Sequence, residues 1–185
     1  KELIKIMVLP GIEENYDDQM NEAWLHEGSA SNAVLYLSDE SSQNNNISLS
    51  LDYHGIGDKI SYIYRDLYAN YEKIDLSLGL YIMNDLDIPD NDRITMLSMG
   101  NKDSSSIKLD LIGETGSGVQ AQAKIMNQDG EITSRIFNMV KGRWYDLRML
   151  FDADYINGGY DLWIDNKHEA SIRMISNSAY SINRI

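Results

Sequence analysis

Carboxylates, aromatic rings and a guanidinium alternate along the last third of this chain, and the combination has a chemistry it could serve. In GRWYDLRMLFDADYINGGYDLWIDN (residues 142–166), Trp144, Asp146 and Arg148 occupy every second position, as do Asp161 and Trp163. Alternate side chains of an extended backbone share one face, so these five would form a wet, aromatic, charged patch. Sugars stack their C–H faces on Trp and Tyr while polar neighbours fix the hydroxyls. Twelve Tyr and three Trp against two Phe show that the chain favours aromatics with a polar handle. Tyr68 and Tyr71, read as residues of a loop, would line an edge of such a site. The structural alternative is that a loop or the N-terminal segment covers Trp144 and Trp163.

A second cluster is acidic. NDLDIPDND (residues 84–92) concentrates Asp85, Asp87, Asp90 and Asp92 in one loop, and Asp152 and Asp154 flank the turn of the closing hairpin. Calcium takes several oxygen ligands from loops of this kind. Pro89 and the missing glycine exclude the EF-hand pattern, and solvated turns have the same composition.

Catalytic patterns are poorer. Retaining glycosidases place two carboxyl groups about 5–5.5 Å apart, which in a sheet gives spacings such as Glu-x-Asp-x-Glu; none occurs here. Asp146 and Asp165 read equally well as solvated strand residues. His26, His54 and His168 fall on no strand face shared with Arg and Tyr, as a lyase would need. The glycine loop Gly113–Gly118 lacks the lysine and helix of a phosphate-binding loop. No catalytic residue is assigned.

These residues need strands to position them, and the sequence supplies the periodicity. Turn signals recur about every 8–12 residues, the rhythm of an all-β sandwich or barrel. Strands are expected over Leu3–Leu9, Ala33–Leu37, Ile47–Tyr53, Lys59–Arg65, Ile74–Met83 and Arg93–Ser98. Further ones follow over Ile107–Ile112, Val119–Met126, Ile132–Phe137, Arg143–Phe151, Tyr160–Asp165 and Ala170–Ile175, and a last begins at Tyr180. Ile107, Leu109 and Leu111 are answered by Val119, Ala121, Ala123 and Ile125, and the Asn127–Gly130 turn pairs Ile125 with Ile132. In the closing hairpin an Asn157-Gly158-Gly159 turn sets Leu147 opposite Leu162 and Arg148 opposite Asp161. Gln19–Leu25 is the best helical stretch, and a weak one.

Size and charge bound the rest. At 185 residues the chain reads as one domain, 1–185, with residues 1–30 an N-terminal strand and irregular segment. A net charge of −13 without a basic run argues against nucleic acid or an anionic membrane as partner. No apolar run reaches the length of a membrane span. Cysteine is absent, which excludes disulfides and thiolate metal sites. Asn46-Ile47-Ser48 is the one glycosylation sequon.

The pattern Gly-x-Trp-Tyr-x-Leu, then a loop, then Tyr-x-Leu-x-Ile-Asp is carried by Gly142, Trp144, Tyr145, Leu147, Gly159, Tyr160, Leu162, Ile164 and Asp165. It resembles the closing hairpin of concanavalin A-like lectin/glucanase domains, the laminin-G-like jelly rolls. Ile47–Tyr53 and Ile74–Tyr81 fall where that family has early strands. The resemblance implies two curved antiparallel sheets, commonly extracellular, binding glycans or proteins and sometimes calcium. The family places one more strand after the segment beginning at Tyr180. The chain is thus expected either to be a fragment or to lack a strand that a neighbour supplies, with Leu3–Leu9 of one subunit completing another.

The expectation is a two-sheet jelly-roll β-sandwich, extracellular or at the cell surface, acting as a non-catalytic recognition or adhesion module that binds carbohydrate. Its partner would be a glycan or a cell-surface protein. The alternatives are a structural subunit of a surface assembly or filament completed by strand exchange, and a polysaccharide lyase or glycoside hydrolase.

Overall fold

The computed structural model describes residues 2–9, 25–28, 33–38, 48–53, 61–64, 66–101, 104–116, 118–177 and 179–185, with side chains described from Tyr64 onward except at Tyr68 and Ala69. All regular structure among them is strand. In chain order these are β1 (Glu2–Leu9), β2 (Leu25–Gly28), β3 (Ala33–Ser38), β4 (Ser48–Tyr53), β5 (Ser61–Tyr64), β6 (Asp66–Tyr71), β7 (Lys73–Ile82) and β8 (Arg93–Gly100). The second half contributes β9 (Ser105–Glu114), β10 (Gly118–Asn127), β11 (Gly130–Thr133), β12 (Phe137–Met139), β13 (Arg143–Asp152), β14 (Gly158–Ile164), β15 (Lys167–Ile175) and β16 (Ile182–Arg184).

They form a two-sheet antiparallel sandwich. Sheet 1 runs β15-β14-β13-β7-β1-β4-β3; sheet 2 runs β11-β10-β9-β8-β16-β6, with β12 also on β10; β2 and β5 make a separate ribbon. The core follows from period-two alternation. Tyr145, Leu147, Met149 and Phe151 point inward with Leu76, Leu78, Leu80 and Ile82, against Leu109, Leu111, Ala123 and Ile125 of sheet 2, all under one-tenth exposed. Each large apolar side chain so buried contributes about 1.5–3 kcal/mol. Across the sandwich β10 and β14 approach each other.

The meander forms with Ile125 on Ile132 as expected, and Leu109 lies on Ala123. The closing hairpin departs from its expected register. Leu147 faces Ile164, Met149 faces Leu162, and Arg148 faces Trp163: a shift of two residues that keeps every side chain on its expected face. The cause lies in the glycines. Gly158 and Gly159 belong to β14, and the loop is residues 153–157. A Cβ on Gly158 would stand 1.7 Å from Asn177 Oδ1, and one on Gly159 (φ +154°) 1.9 Å from the Ile172 carbonyl. These glycines serve close approach, not the turn. Asp154 makes the turn by accepting from the Ile156 and Asn157 amides at 2.8 Å each.

Other expectations are corrected. Residues 132–137 are not one strand but the end of β11, a crossing and the start of β12, because Ser134 turns in to bond the Ala123 amide. Tyr68 and Tyr71 lie in β6, an edge strand paired with β16, and not in a loop. β1 is hydrogen-bonded on both sides, to β4 and β7, so Leu3–Leu9 is committed within sheet 1 and is no free donor strand. Of the weak helix 19–25, only Leu25 is described, and it begins β2. His54 and Asn46 lie outside the described residues.

Candidate functional site

The outward face of sheet 1 is built by β7, β13, β14 and β15, and it collects the five residues of the expected patch. At one end Tyr81 and Trp144 are cross-strand partners with ring centroids 5.4 Å apart; Lys5 is the next register position on β1. At the other end Trp163 is flanked by a guanidinium and an imidazole. The Arg148 guanidinium lies 5.2 Å from its ring centroid, and the His168 ring 5.0 Å away.

Each of these groups is held from behind. Arg148 donates twice to Asp75, at 2.8 and 2.6 Å, a bidentate fork. This pairing holds the Asp75 carboxyl below its usual range and raises the Arg148 guanidinium, hydrogen bonding being the larger cause in each case. His168 Nε2 meets Asp161 Oδ1 at 3.2 Å, and Arg173 donates to the other oxygen of Asp161. Asp161 is only 9% exposed, a burial that its two partners make tolerable. Asp146 sits between the two aromatic ends; its backbone amide donates to Asp165 Oδ1 at 3.0 Å, and Asp165 also receives Arg143. The face thus alternates rings with fixed donors and acceptors, suited to polar ring-shaped ligands.

Four members of this face were not singled out from sequence: Asp75, Tyr81, His168 and Arg173. For Asp75 and Tyr81 the signal was present, since both take outward positions in the alternating strand over 73–82. His168 precedes the strand expected over Ala170–Ile175, whereas β15 begins at Lys167. The turn leading into β15 is Asp165–Asn166, both at positive φ (51° and 62°), the signature of a type I′ connection.

Tyr71 does not join this patch. It is 42% exposed on β6, in the opposite sheet. The side chain of Tyr68 lies outside the described residues.

The acidic residues are dispersed. Leu86 and Ile88 are 1% and 4% exposed, so the loop over 84–92 drives alternate residues into the core and turns Asp85 and Asp87 outward. Asp90 accepts from Thr115 at 2.9 Å. Asp152 pairs with Lys73 at 2.8 Å, and two loop amides hold the Asp154 carboxyl below its usual range. Among the described residues no three His, Asp or Glu side chains gather as a metal site.

At the open side of the sandwich, where edge strand β15 faces the β11–β12 segment, lies a cleft of about 530 Å³ lined by Thr133–Arg135 and His168–Ile172. A second hollow of about 460 Å³ shares Arg135 and Glu169 with it. Glu169 binds Arg135 and Lys167, each at 2.5 Å, which holds its carboxyl below the usual range, Lys167 being the larger cause. Comparison with protein-family models, curated proteins and solved structures returns no match.

Proposed function

We propose that this chain is a non-catalytic recognition module of an extracellular or cell-surface protein, and that it binds carbohydrate on the outward face of sheet 1. The observation that carries the reading is the alignment of Tyr81, Trp144 and Trp163 on that face with Arg148, Asp146 and His168 between and beside them. Aromatic planes take the apolar faces of sugar rings, and charged neighbours take their hydroxyls. The resemblance of the closing hairpin to concanavalin A-like domains supports the same class, by analogy of fold. A glycan array probed with the chain and with its Trp144→Ala and Trp163→Ala variants tests the reading. Binding to one glycan class, weakened by either substitution, is expected. A chain that binds no glycan, or variants that bind as well as the parent, would overturn it.

A further inference from the structure

We propose that the cleft between β15 and the β11–β12 segment binds a neutral sugar ring; this rests for its ligand class on the carbohydrate reading above. The volume of about 530 Å³ lies within the range that encloses small ligands. His168 belongs both to the cleft wall and to the stack on Trp163, so the cleft continues the outward face around the sheet edge.

The lining selects against charge. Glu169, the one carboxylate of the lining, is engaged by both Arg135 and Lys167 at 2.5 Å each. An anion would have to displace Glu169 in a chain of net charge −13, and a cation would have to displace Arg135. What remains is adjacent donor and acceptor pairs, with the hydroxyls of Thr133 and Ser171 nearby, which matches the vicinal diols of an uncharged sugar.

Behind the cleft lining lies a buried polar group. Tyr160 is 0% exposed, and its hydroxyl makes no hydrogen bond of regular geometry. It lies by Ser134, whose own hydroxyl is committed to the Ala123 amide at 3.0 Å and the Arg135 carbonyl at 2.6 Å. Burial pushes the Tyr160 phenol up to about 12, so it keeps its proton and its capacity to donate. Ile172, the β15 partner of Tyr160, is half-buried and forms part of the cleft wall, so a ligand hydroxyl would reach the phenol only past that side chain.

An added peptide strand fits less well. β15 has two register irregularities against β14 and carries Lys167, Glu169 and Arg173, devices that block edge-to-edge pairing.

The test is a ¹⁵N–¹H NMR titration of the full chain with methyl glycosides of glucose, galactose and mannose and with their trisaccharides. Saturable shifts at Ser134, Arg135, Glu169 and Ser171 are expected. Tyr160→Phe should melt no lower than the parent, since it deletes a buried hydroxyl without a regular hydrogen bond, yet bind about tenfold more weakly; Glu169→Gln should weaken binding similarly. Shifts confined to Tyr81, Trp144 and Trp163 would overturn the cleft site and leave the outward face standing. Shifts confined to the cleft would do the reverse. No shifts with any probe, or both variants binding like the parent, would also overturn the cleft site.

Discussion

Arg148 and Asp75 are joined by two parallel hydrogen bonds, 2.8 and 2.6 Å long, across adjacent strands β13 and β7. The fork decides where the guanidinium lies, and hence what covers one side of Trp163. Protonating Asp75 should release it. The folded value of this carboxyl is depressed, so the interaction is fully present above the ordinary Asp value of about 3.9 and is lost as pH falls through the lower folded value. In a Trp24→Phe/Trp144→Phe variant, which leaves Trp163 as the one tryptophan, the emission should change in a step below about pH 3.9, and Asp75→Asn should abolish that step.

The same sign holds for Asp154 and Glu169, both depressed by their partners. Their contributions exist above the unfolded values of about 3.9 and 4.3 and vanish as acid protonates the folded carboxyls. Global stability followed by urea denaturation should therefore decline below about pH 4, and the decline should be shallower in the Asp154→Asn/Glu169→Gln double variant.

Phe151 is completely buried against the β7 and β14 side chains. Phe151→Ala should cost about 3–5 kcal/mol through lost burial and the cavity left behind. Equilibrium unfolding in urea measures it; a cost under about 1 kcal/mol would contradict the placement of this face in the core.

The hairpin register has a direct check. Nuclear Overhauser contacts between the backbones of Met149 and Leu162 should be present, and those between Leu147 and Leu162 as direct partners absent. Gly159→Ala should detach β15 from β14, because its Cβ would meet the Ile172 carbonyl. The expected reading is loss of hydrogen-exchange protection along residues 167–175 while β13 stays protected.

Tyr155 and Ile156 stand out at the loop tip, 68% and 62% exposed, on a backbone fastened by Asp154 and by Asn177, which bonds the Asp152 carbonyl and the Asp154 amide. Asp154→Ala should loosen that tip and speed chymotrypsin cleavage after Tyr155, with the rest of the chain resisting as before.

What the sequence disclosed was facing, and what it withheld was register and closure. Alternation alone sorts Tyr145, Leu147, Met149 and Phe151 from Trp144, Asp146 and Arg148, since side-chain direction is a local property of extended backbone. The hairpin offset depended on Asn177, distant in sequence, pressing on Gly158. A run of Asn-Gly-Gly looks the same whether its glycines turn the chain or admit a neighbour. The β6 strand was missed because its pairing with Ile182 and Arg184 lies more than a hundred residues ahead. Likewise, the cleft brings together Thr133–Arg135 and His168–Ile172, two segments unrelated by any local spacing.

The connection from β7 to β8 is more than a crossover, because Leu86 and Ile88 seat in the core and Gly113 lies under the carbonyls of Ile88 and Pro89. It acts as a stopper for that end of the sandwich. New sequence grafted there would uncork the interior, whereas Thr115–Gly116, exposed and with open space around Gly116, is where the scaffold has room to grow.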